Sequence, residues 1–134
     1  MNIARASNTI PVPPYDGVHL IADLHDCAAP LDDAGLIDRA LRAGVAAAQA
    51  TLIGLNLHHF GAGHGVTGVA VLAESHISIH TWPEHRYAAI DIFLCGVRHD
   101  ITRALDVIAA ELQSSRVTSQ TIRRGFAANI DHPA

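Results

Sequence analysis

Two runs of alternating residues on either side of a short polar turn constrain this chain more than any other feature. From His76 to Trp82, Ile77 and Ile79 alternate with His76, Ser78 and His80; after Pro83-Glu84-His85-Arg86 the chain alternates again from Tyr87 to Cys95. A period of two marks a strand with one buried face, and two such runs around a short turn read as a hairpin. A register with Trp82 opposite Tyr87 also sets His80 opposite Ala89, and Cys95 opposite Glu74 and beside Ser75. Asp91 and Cys95 then join His76, Ser78 and His80 on one titratable face. Ser75 has the wrong parity for that face, which predicts a bend or bulge near Glu74-Ser75.

The rest of the chain supplies partners for this hairpin. Val18 to Leu24 reads as a half-buried strand in which Val18, Leu20, Ala22 and Leu24 oppose His19 and Asp23, with Ile21 as an exception. Asp32 or Asp33 caps a helix to about Ala50, with Leu36, Ile37, Ala40, Leu41 and Val45 on one face and Gly44 as a weak point. Leu52 to Leu57 and Val66 to Leu72 are strands flanking the loop Gly61-Ala62-Gly63-His64-Gly65. Asp100 opens a second helix to about Ser114, and Arg116 to Ile122 is a last strand. The chain therefore reads as α+β, a two-layer α/β sandwich whose antiparallel sheet carries both helices on one face. The other face needs a cover, which a second subunit would supply.

Length and composition narrow the function. A chain of 134 residues with 49% apolar residues suits one domain with a real core. Residues 1–16, rich in proline, read as a flexible arm, and the tail from Ala127 as loose. A net charge of −4 with nine scattered Lys and Arg argues against a nucleic-acid partner. No apolar run spans a bilayer and no signal peptide is evident, so a cytoplasmic protein is expected, with Cys27 and Cys95 as free thiols. Ten histidines in so short a chain call for an explanation. His76 and His80 have a helical metal spacing, but on a strand they stand two pleats apart, and no metal site is predicted. His58, His59, His64 and His85 read as surface residues, one of which touches substrate if it flanks the glycine loop productively. Trp82 reads as a packing anchor.

The segments Glu74-Ser75-His76-Ile77-Ser78-Ile79-His80-Thr81-Trp82-Pro83-Glu84 and Tyr87-Ala88-Ala89-Ile90-Asp91-Ile92-Phe93-Leu94-Cys95-Gly96 are similar to the prokaryotic S-adenosylmethionine decarboxylase proenzymes almost residue for residue. Weaker similarity at His19 to Asp23 and Gly65 to Gly68 extends the resemblance over most of residues 17 to 126. The resemblance implies self-cleavage between Glu74 and Ser75 into a β chain 1–74 and an α chain 75–134. Attack of the Ser75 hydroxyl on the preceding carbonyl gives an ester, and elimination and hydrolysis leave a pyruvoyl cofactor derived from Ser75. Decarboxylating an amino acid creates a carbanion, which needs a carbonyl to form an imine and accept electrons.

By the same resemblance His80 promotes cleavage, assisted by Thr67 where the family has serine, and Cys95 protonates the α-carbon after carbon dioxide leaves. The hairpin is expected to bring both His80 and Cys95 within reach of Ser75. Glu84 matches the acid that binds the ribose hydroxyls, Phe60 the aromatic that stacks on adenine, and Ile77 a further substrate contact. The implied reaction is decarboxylation of S-adenosylmethionine for spermidine synthesis, in a homodimer or larger homo-oligomer of cleaved units with active sites near the subunit boundary. Two readings stay open: a pyruvoyl-dependent arginine or ornithine decarboxylase on the same fold, and an uncleaved, non-catalytic histidine-rich binding protein.

Overall fold

The structure, a computed structural model, describes residues 15–95 and 99–125; the arm, apart from Tyr15 and Asp16, and the tail lie outside them. The hairpin organises the sheet as the alternation requires. Strand β4 (Ser75–Trp82) pairs antiparallel with β5 (Tyr87–Cys95), with Trp82 opposite Tyr87 and His80 opposite Ala89. Between them Pro83–His85 forms one 3-10 turn, closed by Arg86 in the left-handed region at φ 49°. Strand β3 (Val66–Leu72) joins β4 through the two-residue turn Ala73-Glu74, and β2 (Leu52–His59) completes that side. On the other side β1 (Gly17–Cys27) pairs with β5, and β6 (Ser114–Arg124) closes the edge. The sheet is antiparallel, in the order β2-β3-β4-β5-β1-β6.

Two helices cover one face. Helix α1 (Ala34–Ala47) starts where the Asp33 carboxylate accepts the Leu36 amide at 3.1 Å, and α2 (Ile101–Glu111) where Asp100 accepts the Arg103 amide at 3.0 Å. Both caps satisfy amides that a helix start otherwise leaves without partners. Ile37, Leu41, Ile108 and Leu112 pack with Leu24, Ile77, Ile79 and Ile92 in one core. Burial of each such aliphatic chain contributes about 1.5–3 kcal/mol through removal from water. Gly44 is less a weak point than a contact: a Cβ there would stand 2.6 Å from Ile108 Cδ1, so its absence lets the helices approach closely.

The opposite face carries His19, Ile21, Asp23, His76, Ser78, His80, Trp82, Asp91, Phe93 and Cys95, the other parity of the same strands. Ile21 is no exception, since it points to this face at 46% exposure, as do Trp82 at 40% and Ile122 at 47%. The face is thus open and partly apolar. Among the described residues no helix is long and apolar enough to cross a membrane.

Candidate functional site

The open face carries its chemistry in two places. The first is the turn between β3 and β4. Leu72 pairs with Ser75, so only Ala73 and Glu74 span the turn, and Glu74 takes φ 62°. Left-handed backbone costs a residue with a side chain about 1–2 kcal/mol, and here it sits on the residue whose carbonyl precedes Ser75. Of the bend or bulge expected near Glu74-Ser75, the structure has the bend, at this turn, and no bulge: the β3–β4 register runs without a break from Ser75 to His80. The turn itself resolves the parity conflict, because Ser75 is the first residue of its strand.

Around that turn the polar atoms converge on one peptide bond. The Cys95 thiol donates to the Glu74 carbonyl oxygen at 3.1 Å, and the Cys95 amide donates to Ser75 Oγ at 3.3 Å. Ser75 Oγ in turn donates to the Ala73 carbonyl at 3.3 Å. Burial and the neighbouring Glu74 charge push the Cys95 pKa up, with Ser75 and Arg124 opposing them, so the group remains a neutral thiol with a proton to give. A cavity of about 450 Å³ opens here, bordered by Tyr15, Glu74, Phe93 and Cys95. Serine Oγ, a polarised preceding carbonyl and a thiol donor fit a group made from Ser75 in place. By contrast Cys27, buried against the Leu24 carbonyl, takes no part.

The second place lies at the far end of the same strands. Thr67 and His80 are cross-strand partners, with Thr67 Oγ1 3.2 Å from His80 Nδ1, which fixes the imidazole by that nitrogen. Phe60, Thr67, His80, Trp82, Glu84 and His64 border a cavity of about 260 Å³. The loop that carries Phe60 is tightly specified. Gly61 and Gly63 have φ of 110° and 77°, the Gly63 amide donates to Asp32 at 3.2 Å, and a Cβ on Gly65 would meet the Thr81 carbonyl at 2.0 Å. His58, exposed as expected, stands edge-on to Phe60 with ring centres 4.5 Å apart. Trp82 stacks on Tyr87 at 5.3 Å, as an anchor of the hairpin end.

Two expectations need correction. Ser75 and His80 lie on one straight strand five residues apart, a separation of about 16 Å at the usual strand rise of about 3.3 Å per residue. The hairpin register therefore puts Cys95 within reach of Ser75 and leaves His80 out of it. Ile77 is fully buried in the core beneath the helices, because odd positions of β4 face inward; it is not a substrate contact on the open face. Sequence reading also missed Tyr15, which fell within the presumed arm, and Arg124, whose guanidinium lies 4.9 Å from the Phe93 ring centre. The parity of β6 against β1, with Arg124 opposite Gly17, was the available signal.

Comparison with known proteins agrees with this geometry. A family model described as S-adenosylmethionine decarboxylase matches residues 18–125. The chain is 45% identical over 109 residues to an S-adenosylmethionine decarboxylase proenzyme of Prochlorococcus marinus, covering 81% of this chain and 88% of the relative. It is 46% identical over 111 residues to the proenzyme of Methanococcus maripaludis, covering 82% and 90%. The crystal structure of adenosylmethionine decarboxylase from Aquifex aeolicus superposes with a TM-score of 0.75 at 39% identity, over 83% of this chain and 92% of that one. With its six-stranded sheet, its Glu74-Ser75 turn and this extent of similarity, the chain belongs to the S-adenosylmethionine decarboxylase family.

Proposed function

We propose that the chain cleaves itself between Glu74 and Ser75 and, with the pyruvoyl group so formed, decarboxylates S-adenosylmethionine, the reaction that supplies an aminopropyl donor for spermidine. The observation that carries this reading is the arrangement at the turn: a left-handed Glu74 whose carbonyl accepts the Cys95 thiol, directly before a serine hydroxyl.

Cleavage follows from these groups. The Ser75 oxygen attacks the Glu74 carbonyl carbon, its proton passing to the departing Ser75 nitrogen, so that a C–O bond replaces the C–N bond. The Cys95 thiol stabilises the oxygen as it gains charge, and leaving the strained turn favours the step. Loss of the Ser75 α-hydrogen with the Glu74 carboxylate, then addition of water and release of ammonia, leaves the pyruvoyl group on residue 75. That group supplies an electron-accepting carbonyl. Cys95, kept protonated by burial, holds the proton for the α-carbon once carbon dioxide has left.

His80 stands about 16 Å along its strand from the Ser75 of its own chain, out of its reach, and Thr67, Glu84 and Phe60 border the same cavity as His80. A second copy resolves this. Two open faces packed about a two-fold axis bring the Ser75 end of one against the His80 end of the other, an isologous arrangement that yields two composite sites. The exposed Ile21, Trp82 and Ile122 give that contact apolar area. Within it Phe60 stacks on the adenine, Glu84 accepts the ribose hydroxyls, and His80, held by Thr67, moves the proton during cleavage.

Intact mass under denaturing conditions, with and without a carbonyl-trapping reagent, tests the reading. Two fragments divided between Glu74 and Ser75, with only the 75–134 fragment gaining the reagent, are expected. A full-length mass after prolonged incubation overturns it. The same protein offered S-adenosylmethionine, arginine or ornithine should release carbon dioxide from the first alone.

A further inference from the structure

Three titratable side chains converge on the open face without a part in the chemistry above. His19 of β1, His76 of β4 and Asp91 of β5 lie on three adjacent central strands, where Phe93 is the registered partner of both His19 and His76. One ligand atom from each lies within 4.8 Å of the other two. Asp91 Oδ1 is 2.8 Å from His76 Nε2 and 3.2 Å from His19 Nε2. A cavity of about 250 Å³ on the open face borders His19 and Asp91.

Two imidazoles and one carboxylate with room for water are the donor set of open zinc and non-haem iron sites. The surroundings are those that hold ligating groups in orientation: Ser78 Oγ donates to the other Asp91 oxygen, and the Phe93 ring lies 5.6 Å from His19 and 6.0 Å from His76. Donor atoms around zinc at about 2.0–2.1 Å stand roughly 3.3 Å apart in a tetrahedron. The contacts at 2.8 and 3.2 Å would open toward that spacing, and the two imidazole nitrogens, which lie within 4.8 Å of each other, would close toward it by rotation of their side chains on the sheet.

We propose that His19 Nε2, His76 Nε2 and Asp91 Oδ1 bind one divalent transition-metal ion of the zinc class, with the remaining position open to water. None of the residues assigned to cleavage is a ligand, and the proposal does not depend on the decarboxylase reading. One neighbour opposes the ion. Arg124 Nη1 lies 3.4 Å from His19 Nδ1, and a guanidinium only donates, so in this arrangement Nδ1 is the acceptor and Nε2 carries the proton shared with Asp91. Metal at Nε2 moves that proton to Nδ1, and Arg124 must swing away. Arg124 is therefore a brake on binding, by its charge and by its hydrogen bond.

The test is a titration of the chelator-treated full chain with Co2+, read by its visible ligand-field bands, and with Zn2+, read by calorimetry. One ion per chain is expected. His19→Gln and Asp91→Asn, each checked for an unchanged circular dichroism spectrum, should weaken binding by at least about tenfold, and Arg124→Gln should tighten it severalfold. The double variant His58→Gln/His59→Gln should bind like the parent. Absence of binding, or equal affinity and bands in both His19→Gln and Asp91→Asn, overturns the proposal; if one of these variants fails to fold, the other decides.

Discussion

The two ends of the open sheet face are built from the same strands, yet they hold different kinds of chemistry. At the Ser75 end, backbone geometry does most of the work: a two-residue turn forces Glu74 to φ 62° and places its carbonyl 3.1 Å from a thiol across the hairpin. At the far end the backbone is regular, and side chains supply the function, with Thr67 holding His80 and a glycine loop presenting Phe60. Under the proposed function, one end contains the bond to be broken and the other the groups that act on it in a second chain. On the proposed reading neither end is a complete site by itself, and a face-to-face pair of chains would join them.

The difference is broken most completely by Ser75→Ala. With no hydroxyl to attack Glu74, the chain should stay at full length indefinitely, as intact mass will show, while the far end and its Thr67–His80 contact are untouched. Cys95→Ala should lower decarboxylation by about 10²–10⁴-fold, the usual scale for removing a positioned acid. The loss should appear in single-turnover assays of cleaved protein, and an unchanged rate would remove Cys95 from the chemistry.

At the far end the effects are smaller. The Thr67 hydroxyl already reaches His80 Nδ1 at 3.2 Å despite its extra methyl, so Thr67→Ser should leave the cleavage rate within about threefold. Thr67→Ala forfeits a hydrogen bond of about 0.5–1.5 kcal/mol, or roughly two- to twelvefold in rate. A time course of fragment appearance distinguishes these outcomes.

Between the two ends, Asp91 provides the smallest effect. Burial raises its pKa, but hydrogen bonds from Ser78, His19 and His76, with the charge of His76, together hold it below its ordinary value. A carboxylate depressed in the folded state contributes stability that is present above its unfolded pKa, about 3.9, and is lost as pH falls through the folded value. Urea midpoints of the parent and Asp91→Asn should therefore differ near neutral pH and converge as the solution is acidified below pH about 4. A constant difference would show that Asp91 stabilises the fold by packing alone.

Much of this was legible in the sequence because period-two alternation is a strong signal. The hairpin register from Trp82 and Tyr87 was readable from alternation and the Pro83 turn, and it located Cys95 beside Ser75. What escaped were features set by three-dimensional length and by close approach. Alternation assigned Ile77 to the apolar face, yet resemblance alone made it a substrate contact, and burial decided against that. The His80 error came from treating one hairpin as one site, when five strand residues exceed the reach of any side chain. Gly44 looked costly by helix propensity because its partner, Ile108, lies in another helix. The His19–Asp91 contact joins residues 72 positions apart, and only the β1–β5 pairing reveals it.

The most direct test of the composite site is co-expression of a Ser75→Ala chain with a His80→Ala chain, read by intact mass. The first has no bond that can be cut by its own serine, and the second has the serine but no histidine. The account predicts that the His80→Ala chain stays largely intact when expressed alone and is cut between Glu74 and Ser75 when the Ser75→Ala chain is present. Cleavage of the His80→Ala chain to the same extent with and without its companion would contradict it.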